Sequence, residues 1–435
     1  MGAEPLPSYT RRVARKVSPL GEDRLAGLVT VLDFVRTHGS TTRAALVHAT
    51  GLSRAVVTQR VAELVDYGLM VEGELGPSSG GRAPRIVRFA ADAGHLLVAD
   101  LGATSVDVAL ADLSGAILAH AQEPCDIADG PEAVLARVDE LFVRTLVSAG
   151  PLPGSLWGIG IGVPGPVEFE SGRPVAPPIM PGWDRYAIRE RFAKYRVPVW
   201  VDNDVNIMAL GERRAGIAQG HDNVVFIKIG TGIGAGIIVR GKLHRGAQGC
   251  AGDVGHMHVT DDPAVICRCG NVGCLEAHAG GGALGRFAEA AARAGRSSFL
   301  AAALAEKGSL EARDVARGAT HGDPTCVELL TNAGRLVGHM LASVVNFFNP
   351  SLIVIGGGVA GAGDLLLATI RESVYRRSLP LATRELVVKR SALGDRAGVV
   401  GAAAIVTDEL FRPSYLTQWL GVGTPNGGHV VAAPH

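Results

Sequence analysis

The sequence has few charged and few aromatic side chains. Charged residues make up 19% and aromatic residues 5% of its 435 positions. Lys plus Arg and Asp plus Glu both number 42, so the molecule as a whole carries no net field that would draw it to nucleic acid. Any affinity for DNA must therefore come from a local concentration of basic residues.

Cysteine is also scarce. Three of the six cysteines fall within eight residues, while Cys125, Cys250 and Cys326 stand alone. This spacing excludes a disulfide-rich scaffold and favours a reducing compartment. We expect the three isolated cysteines to be small buried hydrophobes.

Long apolar runs are missing as well. The most apolar stretch, residues 340–370, is interrupted by Asn346, Asn349, Pro350 and a run of glycines. No basic segment leads into an apolar segment near the first residue. We therefore expect a cytoplasmic protein that is neither secreted nor inserted in a membrane.

What the sequence does contain is a large apolar fraction, 47%, and 58 glycines. Together they indicate tightly turned, well-buried cores, and the length predicts two or three domains. The charge is uneven: residues 11–60 contain nine Arg and Lys against three Asp and Glu. The basic surplus lies at the N-terminal end.

The N-terminal periodicity predicts a helix-turn-helix. Apolar residues three or four apart predict a helix over residues 23–37, and a shorter helix follows at 42–50. Ser53 is placed to cap a third helix, residues 54–67. Its apolar positions turn Thr58 and Gln59 outward and leave Arg54 and Arg60 on its flanks. In a helix-turn-helix, such a third helix enters the major groove of DNA.

Two predicted strands, residues 69–72 and 86–89, surround a loop that contains Arg82 after two glycines. A β-wing of this kind lays an arginine into the minor groove. Taken alone, the helical pattern could also be an ordinary three-helix subdomain with solvated arginines. The wing and the local charge favour DNA binding, with these candidate contacts: Ser53, Arg54, Thr58, Gln59, Arg60 and Arg82.

Beyond residue 94 the sequence changes to short β-rich units that end in glycine turns. Three turns follow apolar strands and are candidates for holding phosphate through backbone N–H groups. A carboxylate at the end of the first strand suits a metal ion. One such turn alone is weak support for phosphate binding, but three in one chain are stronger support. The candidate residues are Asp100, Gly102, Thr104, Gly230, Thr231, Gly232, Gly356, Gly357 and Gly358.

An apolar strand, residues 199–202, runs directly into Asn203 and Asp204. Open α/β sheets bind ligands at such strand ends. Asn203 and Asp204 could hold sugar hydroxyls, and Asp204 could accept a hydroxyl proton during phosphoryl transfer. The structural alternative is that one of the two is only a helix N-cap.

His256, Cys267, Cys269 and Cys274 form a closed set of soft ligands that is typical of structural, tetrahedral zinc. Asp253 and Glu276 flank this set. A metal here would aim both carboxylates into one small volume, which suits a ligand with many hydroxyls.

These motifs together resemble the ROK family of repressors and sugar kinases. The most diagnostic stretch is residues 241–256 with the cysteine cluster, and the resemblance extends from Leu25 to about Asp408. It implies an α/β protein: an N-terminal winged helix-turn-helix, then a two-lobed, actin-like (ribonuclease H-like) domain with a zinc loop. It also implies a sugar site at Asn203, Asp204, Asp253, His256 and Glu276, and a base role for Asp204 in the kinases.

The sequence departs from the kinase pattern at three positions. Asp253 stands where the kinases have Glu, Ala103 where they favour Gly, and Ile179 where they have Asn. We expect a sugar site with altered edges, in which a contact from Asp253 becomes longer or passes through water. The phosphate site gains one methyl group.

The predicted domains are a flexible basic tail (1–20), the winged helix-turn-helix (21–90), a small lobe (91–212, completed by helix 396–410), a large lobe (213–395) and a flexible tail (411–435). The leading hypothesis is a sugar-responsive repressor of carbohydrate uptake or catabolism genes, a homodimer or homotetramer. Its partners would be double-stranded operator DNA and a sugar or sugar phosphate, and its cofactor structural Zn²⁺. The alternatives are an ATP- and Mg²⁺-dependent hexose kinase and a zinc sensor.

Overall fold

The structure is a computed structural model and describes residues 21–75, 85–361, 363–420 and 424–425. The predicted tail 1–20 and the predicted wing tip with Arg82 lie outside these ranges. Among the helices that the described ranges contain, none joins the length and the apolar character that a bilayer crossing requires.

Three helices and a small antiparallel sheet form the N-terminal module, residues 21–90. Thr42 caps the second helix by accepting from the Ala45 N–H at 3.2 Å, and Ser53 caps the third by accepting from the Val56 N–H at 3.3 Å. The sheet order is β1, β3, β2, and β1 has only two residues, too few to show a pattern in the sequence. The elements are α1 (Glu22–His38), β1 (Thr41–Thr42), α2 (Arg43–Thr50), α3 (Arg54–Asp66), β2 (Met70–Leu75) and β3 (Arg85–Phe89).

The small lobe is built on a five-stranded sheet with the order β10, β7, β4, β5, β6. One face packs against α4, whose apolar stripe includes Val134, Val138 and Phe142. The elements are β4 (Gly94–Leu101), β5 (Ser105–Asp112), β6 (Ile117–Pro124), α4 (Pro131–Ala149), β7 (Ser155–Val163), β8 (Val167–Glu168), β9 (Arg173–Pro174), α5 (Ile188–Arg191) and β10 (Val199–Asn203).

The large lobe has a second five-stranded sheet with the order β13, β12, β11, β14, β15. Ile227 and Ile355 point from it into a core shared with long helices. The elements are β11 (Val224–Ile229), β12 (Ile233–Val239), β13 (Lys242–Leu243), α7 (Leu275–Ala279), α8 (Gly281–Arg293), α9 (Ser298–Lys307), α10 (Ala312–Thr320), α11 (Pro324–Phe348), β14 (Leu352–Gly356), α12 (Asp364–Arg377), α13 (Pro380–Thr383) and β15 (Val387–Arg390).

Two helices, α6 (Asp204–Ala215) and α14 (Ala397–Leu410), cross between the lobes. They approach so closely that a Cβ at Gly401 would lie 1.6 Å from the Ile207 carbonyl oxygen, and one at Gly211 would lie 2.1 Å from that of Ala397. Val205 and Ala209 of α6 pack on the large-lobe sheet. Helix α14 covers the face of the small-lobe sheet opposite α4.

The chain after α14 corrects one prediction. Part of the predicted flexible tail, residues 411–435, forms α15 (Pro413–Trp419), and Phe411, Leu416 and Trp419 are buried. The Trp419 indole donates to the Leu410 carbonyl oxygen at 3.1 Å. This segment packs against both the small lobe and the N-terminal module, because Phe411 meets Phe89 edge to face at 5.6 Å.

The isolated cysteines only partly follow the prediction. Cys326 is buried, Cys125 is half-buried, and Cys250 is exposed. Cys250 lies in the loop after β13, where Gly249 and Gly252 adopt positive φ angles and the chain runs along the surface of the cleft.

Candidate functional site

A cleft of about 1520 Å³ separates the two lobes where the carboxyl ends of the central strands meet. The structure brings most of the predicted sugar and phosphate residues to its walls: Asp100, Gly102, Thr104, Asn203, Asp204, Gly230, Thr231, Gly232, Asp253, His256, Glu276, Gly357 and Gly358. Gly356 is the exception. A Cβ there would lie 2.4 Å from the Phe226 ring, so this glycine serves packing and not the cleft.

Glu276 is fixed at the start of α7. Its Oε2 accepts a hydrogen bond from the Ile233 N–H at 3.1 Å. A Cβ on Gly232 would lie 2.3 Å from the same oxygen, so this glycine is needed for the carboxylate to rest against the turn. The turn at residues 230–232 therefore positions a sugar-site carboxylate as well as offering backbone N–H groups.

Asn203 is the N-cap of α6, as the structural alternative anticipated. Its Oδ1 accepts from the N–H groups of Val205 and Asn206 at 2.9 and 3.1 Å, and its Nδ2 donates to the Gly165 carbonyl oxygen at 2.9 Å. One N–H of the amide is left for a ligand. Capping thus uses both acceptor positions of the amide oxygen.

Asp204 is 4% exposed and lies at the base of the cleft. Its Oδ2 accepts from Lys228 Nζ at 2.5 Å, and its Oδ1 accepts from the Val205 N–H at 2.9 Å. Lys228 was missed in the sequence, although it interrupts the apolar strand β11. The carboxylates of Asp204 and Asp100 outweigh the effect of burial and raise the pKa of Lys228, which keeps it a cation.

Asp100 ends β4 beside this pair. Burial raises its pKa to about 7, Lys228 opposes that effect, and the carboxylates of Asp204 and Asp107 add to it. Its Oδ1 is buried without a hydrogen-bond partner. Its Oδ2 faces the first turn of α14, where a Cβ on Gly398 would lie 1.8 Å away.

A second ion pair supports the floor of the sugar site. Arg245 Nε donates to Asp202 Oδ2 at 2.7 Å, and its guanidinium stacks over the Phe169 ring at 3.7 Å. Asp202 also accepts from Asn206 Nδ2 at 2.9 Å. The pair connects the end of β10 to the loop that leads to Asp253, and the sequence patterns did not single it out.

The four predicted zinc ligands converge. Their ligand atoms all lie within 4.8 Å of one another. Cys269 Sγ and Cys274 Sγ are 3.7 Å apart, and Cys267 Sγ is 3.6 Å from His256 Nδ1. Tetrahedral zinc with Zn–S and Zn–N bonds of about 2.3 and 2.1 Å requires separations of about 3.8 and 3.6 Å. The residues therefore fit a tetrahedral ion.

Asp253 and His256 face the cleft from one side of this cluster. Asp253 is half exposed, and its Oδ1 lies 3.9 Å from His256 Nε2. Since Nδ1 of His256 points to the thiols, Nε2 is the ring nitrogen directed toward the cleft. The cluster thus orients an imidazole and two carboxylates around one volume.

The third helix of the N-terminal module presents Arg54, Thr58 and Gln59 to solvent, and Ser53 is engaged as its cap. The placement of Arg60 on a flank was wrong. Arg60 is only 9% exposed, its Nη1 donates to Glu63 Oε1 at 2.7 Å, and its stem packs against α1, where Gly27 leaves room for it. Arg60 cannot reach DNA without breaking this packing.

The N-terminal module contacts the end of α14 through Arg36. Its Nη2 lies 3.4 Å from the Thr407 carbonyl oxygen and 4.0 Å from Asp408 Oδ1, and the guanidinium stacks on the Phe411 ring at 4.3 Å. Arg214 of α6 forms an ion pair with the same Asp408. The ends of α6 and α14 are thus joined beside the contact that α14 makes with the N-terminal module.

Comparisons with known proteins agree with this architecture. Residues 97–409 match the ROK family. A putative xylose repressor of Caldicellulosiruptor sp. (strain Rt8B.4) is 31% identical over 91% of this chain and 98% of its own length. Among solved structures, a ROK family transcriptional regulator, a homolog of the E. coli MLC protein, is 27% identical with a TM-score of 0.77 and covers 92% of this chain and 99% of its own.

A glucokinase is also similar over the two lobes. The structure of a ROK family glucokinase from Streptomyces griseus in complex with glucose and AMPPNP is 32% identical with a TM-score of 0.63. It covers 72% of this chain and 99% of its own. The repressor and the regulator thus match a larger share of this chain than the glucokinase does.

Proposed function

The chain belongs to the ROK family, and on that premise we propose that it is a sugar-responsive transcriptional repressor of carbohydrate uptake or catabolism genes. The observation that carries the proposal is the joining of two parts in one chain. A helical module with an exposed polar helix face is packed onto a two-lobed domain whose cleft gathers carboxylates. Relatives that are repressors or regulators match nearly the whole chain.

The N-terminal module is proposed to be a winged helix-turn-helix that reads operator DNA. Thr58 and Gln59 are exposed on α3 and suit base edges, and Arg54 suits a phosphate. Arg82 remains the candidate for the minor groove. A two-fold symmetric operator would require a homodimer at least, and a homotetramer would also satisfy that symmetry. Binding to chromosomal DNA in turn places the protein in the cytoplasm.

The cleft is proposed to bind the sugar effector. Asn203, Asp204, Asp253, His256 and Glu276 all line it, and hydrogen bonds from sugar hydroxyls to carboxylates are stronger than those between neutral groups. Three carboxylates at this end of the cleft favour an uncharged sugar, because a sugar phosphate would place its charge beside them. Bound sugar would connect Asp204 on α6 with Glu276 on the large lobe.

The Cys and His cluster is proposed to be a structural zinc site. All four ligands are protein side chains, which leaves no open position for chemistry. Its loop holds His256 and Glu276 in place. Mild chelation should lower sugar affinity at least about tenfold and leave sugar-free DNA binding nearly unchanged. A zinc sensor would instead lose DNA binding in step with metal content, so metal analysis and DNA titration on the same samples separate the two.

The signal is proposed to travel along α14. Its first turn lies against Asp100 at the base of the cleft, and its last turn contacts Arg36 of the N-terminal module. Fourteen residues span about 21 Å. A sugar that shifts the lobes by even a small angle would move the N-terminal module, and a bias of about 1 to 3 kcal/mol between two spacings suffices for a switch.

DNA binding is tested by electrophoretic mobility shift with the DNA upstream of the protein's own gene and of adjacent sugar genes. The double variant Arg54→Ala with Gln59→Ala should bind at least about tenfold more weakly, since each lost contact is worth roughly 1 to 3 kcal/mol. Thr30→Ala, an exposed change on α1, is the matched control. Equal binding by the double variant and the parent would disprove the proposed DNA surface.

Sugar binding is tested by isothermal titration against uncharged and phosphorylated pentoses and hexoses. Glu276→Gln keeps the shape but loses the charge, so we expect a loss of about 1.5 to 3 kcal/mol, roughly 10- to 150-fold in affinity. Exposed Glu372→Gln on α12 is the control. If Glu276→Gln binds as tightly as the parent, the sugar lies elsewhere.

A further inference from the structure

One wall of the cleft is apolar where it approaches the candidate sugar residues. Its side chains belong to two turns of the small lobe, one directly after β7 and one after β9. All of them are hydrocarbon, without a hydrogen-bond donor or acceptor. We call these residues the apolar wall: Pro164, Pro166, Ala176, Pro178 and Ile179.

The apolar wall lies beside the residues proposed to hold the sugar. The amide of Asn203 donates to the Gly165 carbonyl oxygen at 2.9 Å, in the middle of the first turn. The loop that carries Asp253 also runs against this part of the small lobe, because a Cβ on Gly249 would lie 2.3 Å from the Val167 carbonyl oxygen. A sugar held between Asn203 and Asp253 therefore turns one edge toward the apolar wall.

The backbone of the apolar wall adds few hydrogen bonds of its own. Its three prolines have no N–H group. The Pro166 carbonyl oxygen already accepts from the Val175 N–H at 3.0 Å, and the Gly165 carbonyl oxygen is engaged by Asn203. A hydroxyl pressed against this surface would exchange water for carbon neighbours, which is unfavourable.

The turn that carries Ile179 is anchored from behind. Ile179 is followed by Met180, which is only 2% exposed. Trp183 is fully buried, and its indole donates to the Ile127 carbonyl oxygen at 3.1 Å. These side chains belong to the core between α4 and the small-lobe sheet, so Ile179 cannot withdraw from the cleft without disturbing that core.

The chemistry of sugars indicates which edge suits such a surface. Every ring carbon of an aldopyranose carries a hydroxyl except C5. This carbon bears only hydrogen in a pentose, a methyl group in a 6-deoxyhexose and a hydroxymethyl group in a hexose. The C5 edge therefore suits the apolar wall, and the ring hydroxyls are left to the carboxylates on the other sides of the cleft.

We propose that Ile179 determines which sugars the cleft accepts, and that it selects aldopentoses and 6-deoxyhexoses over the corresponding hexoses. This inference rests on the proposed sugar-binding function and deepens it by naming the class of sugar. The selection is made by polarity: a hydroxymethyl group at C5 brings a hydroxyl to the apolar wall, where it loses its hydrogen bonds to water.

The experiment is isothermal titration of the full-length, zinc-loaded protein with two series of sugars that differ only at C5. One series is D-xylose, 6-deoxy-D-glucose and D-glucose, and the other is L-arabinose, 6-deoxy-D-galactose and D-galactose. In one of the series, we expect the parent to bind the pentose and the 6-deoxy sugar about 10- to 100-fold more tightly than the hexose.

Ile179→Asn places an amide donor and acceptor at this position. It should lower the ratio of pentose to hexose affinity at least about tenfold, chiefly by improving hexose binding. Ile179→Val keeps a hydrocarbon surface and is the matched control, for which we expect the ratio of the parent.

Four results would overturn the inference: hexose binding by the parent as tight as pentose binding, a 6-deoxy sugar rejected as strongly as the hexose, an unchanged ratio in Ile179→Asn, or no binding in either series. If Ile179→Asn does not fold, as judged by circular dichroism, the other three still decide. Failure of the proposed function is seen separately by mobility shift. DNA binding that responds to a sugar outside both series contradicts only the role of Ile179, whereas DNA binding that no sugar alters contradicts the sugar-responsive repressor.

Discussion

At the scale of single residues, Asp100 gives the cleft a dependence on pH. Burial raises its pKa to about 7, far above that of an unfolded aspartate. Between about pH 4 and pH 7 the folded state therefore keeps a proton that the unfolded chain releases, so this group's contribution to stability falls as pH rises through that window. Above it the cost of the buried charge is constant.

Asp100→Asn keeps the shape and has no proton to lose. Its melting temperature relative to the parent should therefore rise from about pH 5 to about pH 8. Differential scanning calorimetry at both values measures this, with exposed Asp222→Asn as the control. A difference between Asp100→Asn and parent that is the same at both pH values would show that Asp100 is not protonated in the fold.

The sequence predicted the role of a residue best where that role depends on the residue's own type and on its near neighbours in the chain. The predicted ligand cluster of one His and three Cys, Glu276 and the cap at Ser53 carry local signals in spacing and residue type. The structure brings the four cluster residues together, places Glu276 on the cleft and has Ser53 accept from the Val56 N–H. The roles of Arg60 and Lys228 depend instead on residues of other elements that pack against them. Gly27 on another helix decides that Arg60 is buried, and a strand pattern cannot show that Asp204 faces Lys228.

At the scale of elements, the contact between α6 and α14 depends on two glycines. Gly401→Ala would place a methyl group 1.6 Å from a backbone oxygen that cannot rotate away. The helices must separate, which should cost about 1 to 3 kcal/mol in the free energy of unfolding. Chemical denaturation of the full chain measures the loss.

Gly282→Ala is the matched control. It also lies in a helix, α8, but its nearest neighbour would be 3.5 Å from the added carbon. Alanine should be neutral or stabilising there by about 0.5 to 1 kcal/mol. If both variants lose the same stability, the close packing of α6 on α14 is not what Gly401 provides.

Elements with strong periodicity were found in the sequence to within a few residues, among them α1, α3 and the strands β4, β11 and β14. Short elements were not. The strand β1 has two residues, and α15 is a seven-residue helix that begins with Pro413. What holds α15 is long-range: Trp419 packs edge to face on Trp157 with ring centroids 5.2 Å apart. A pattern in the local sequence cannot predict a partner that is so distant in the chain.

At the scale of the whole molecule, the proposed route along α14 makes Arg36 the side chain that passes a movement of this helix to the N-terminal module. Arg36→Ala should retain sugar-free DNA binding and sugar affinity but reduce the effect of sugar on DNA affinity toward none. The reason is that the contacts with Thr407, Asp408 and Phe411 are lost together. DNA titrations with and without saturating sugar measure the ratio, expected to shift by roughly 5- to 150-fold in the parent.

Arg376→Ala, an exposed arginine on α12, is the control and should leave this ratio unchanged. An Arg36→Ala variant that responds to sugar as fully as the parent would mean that the signal reaches the DNA surface by another route. Because coupling is reciprocal, operator DNA must also change the sugar affinity of the parent by the same factor.

The position of α14 and α15 in the chain has a consequence for synthesis. The small-lobe sheet is complete by residue 203, yet one of its faces stays bare until residues 397–410 leave the ribosome. The core of the N-terminal module is likewise incomplete until Phe411 and Trp419 have been synthesised. A nascent chain therefore holds exposed apolar surface through most of translation, and a repressor stopped short of its last helices would be a client for chaperones before it could silence a gene.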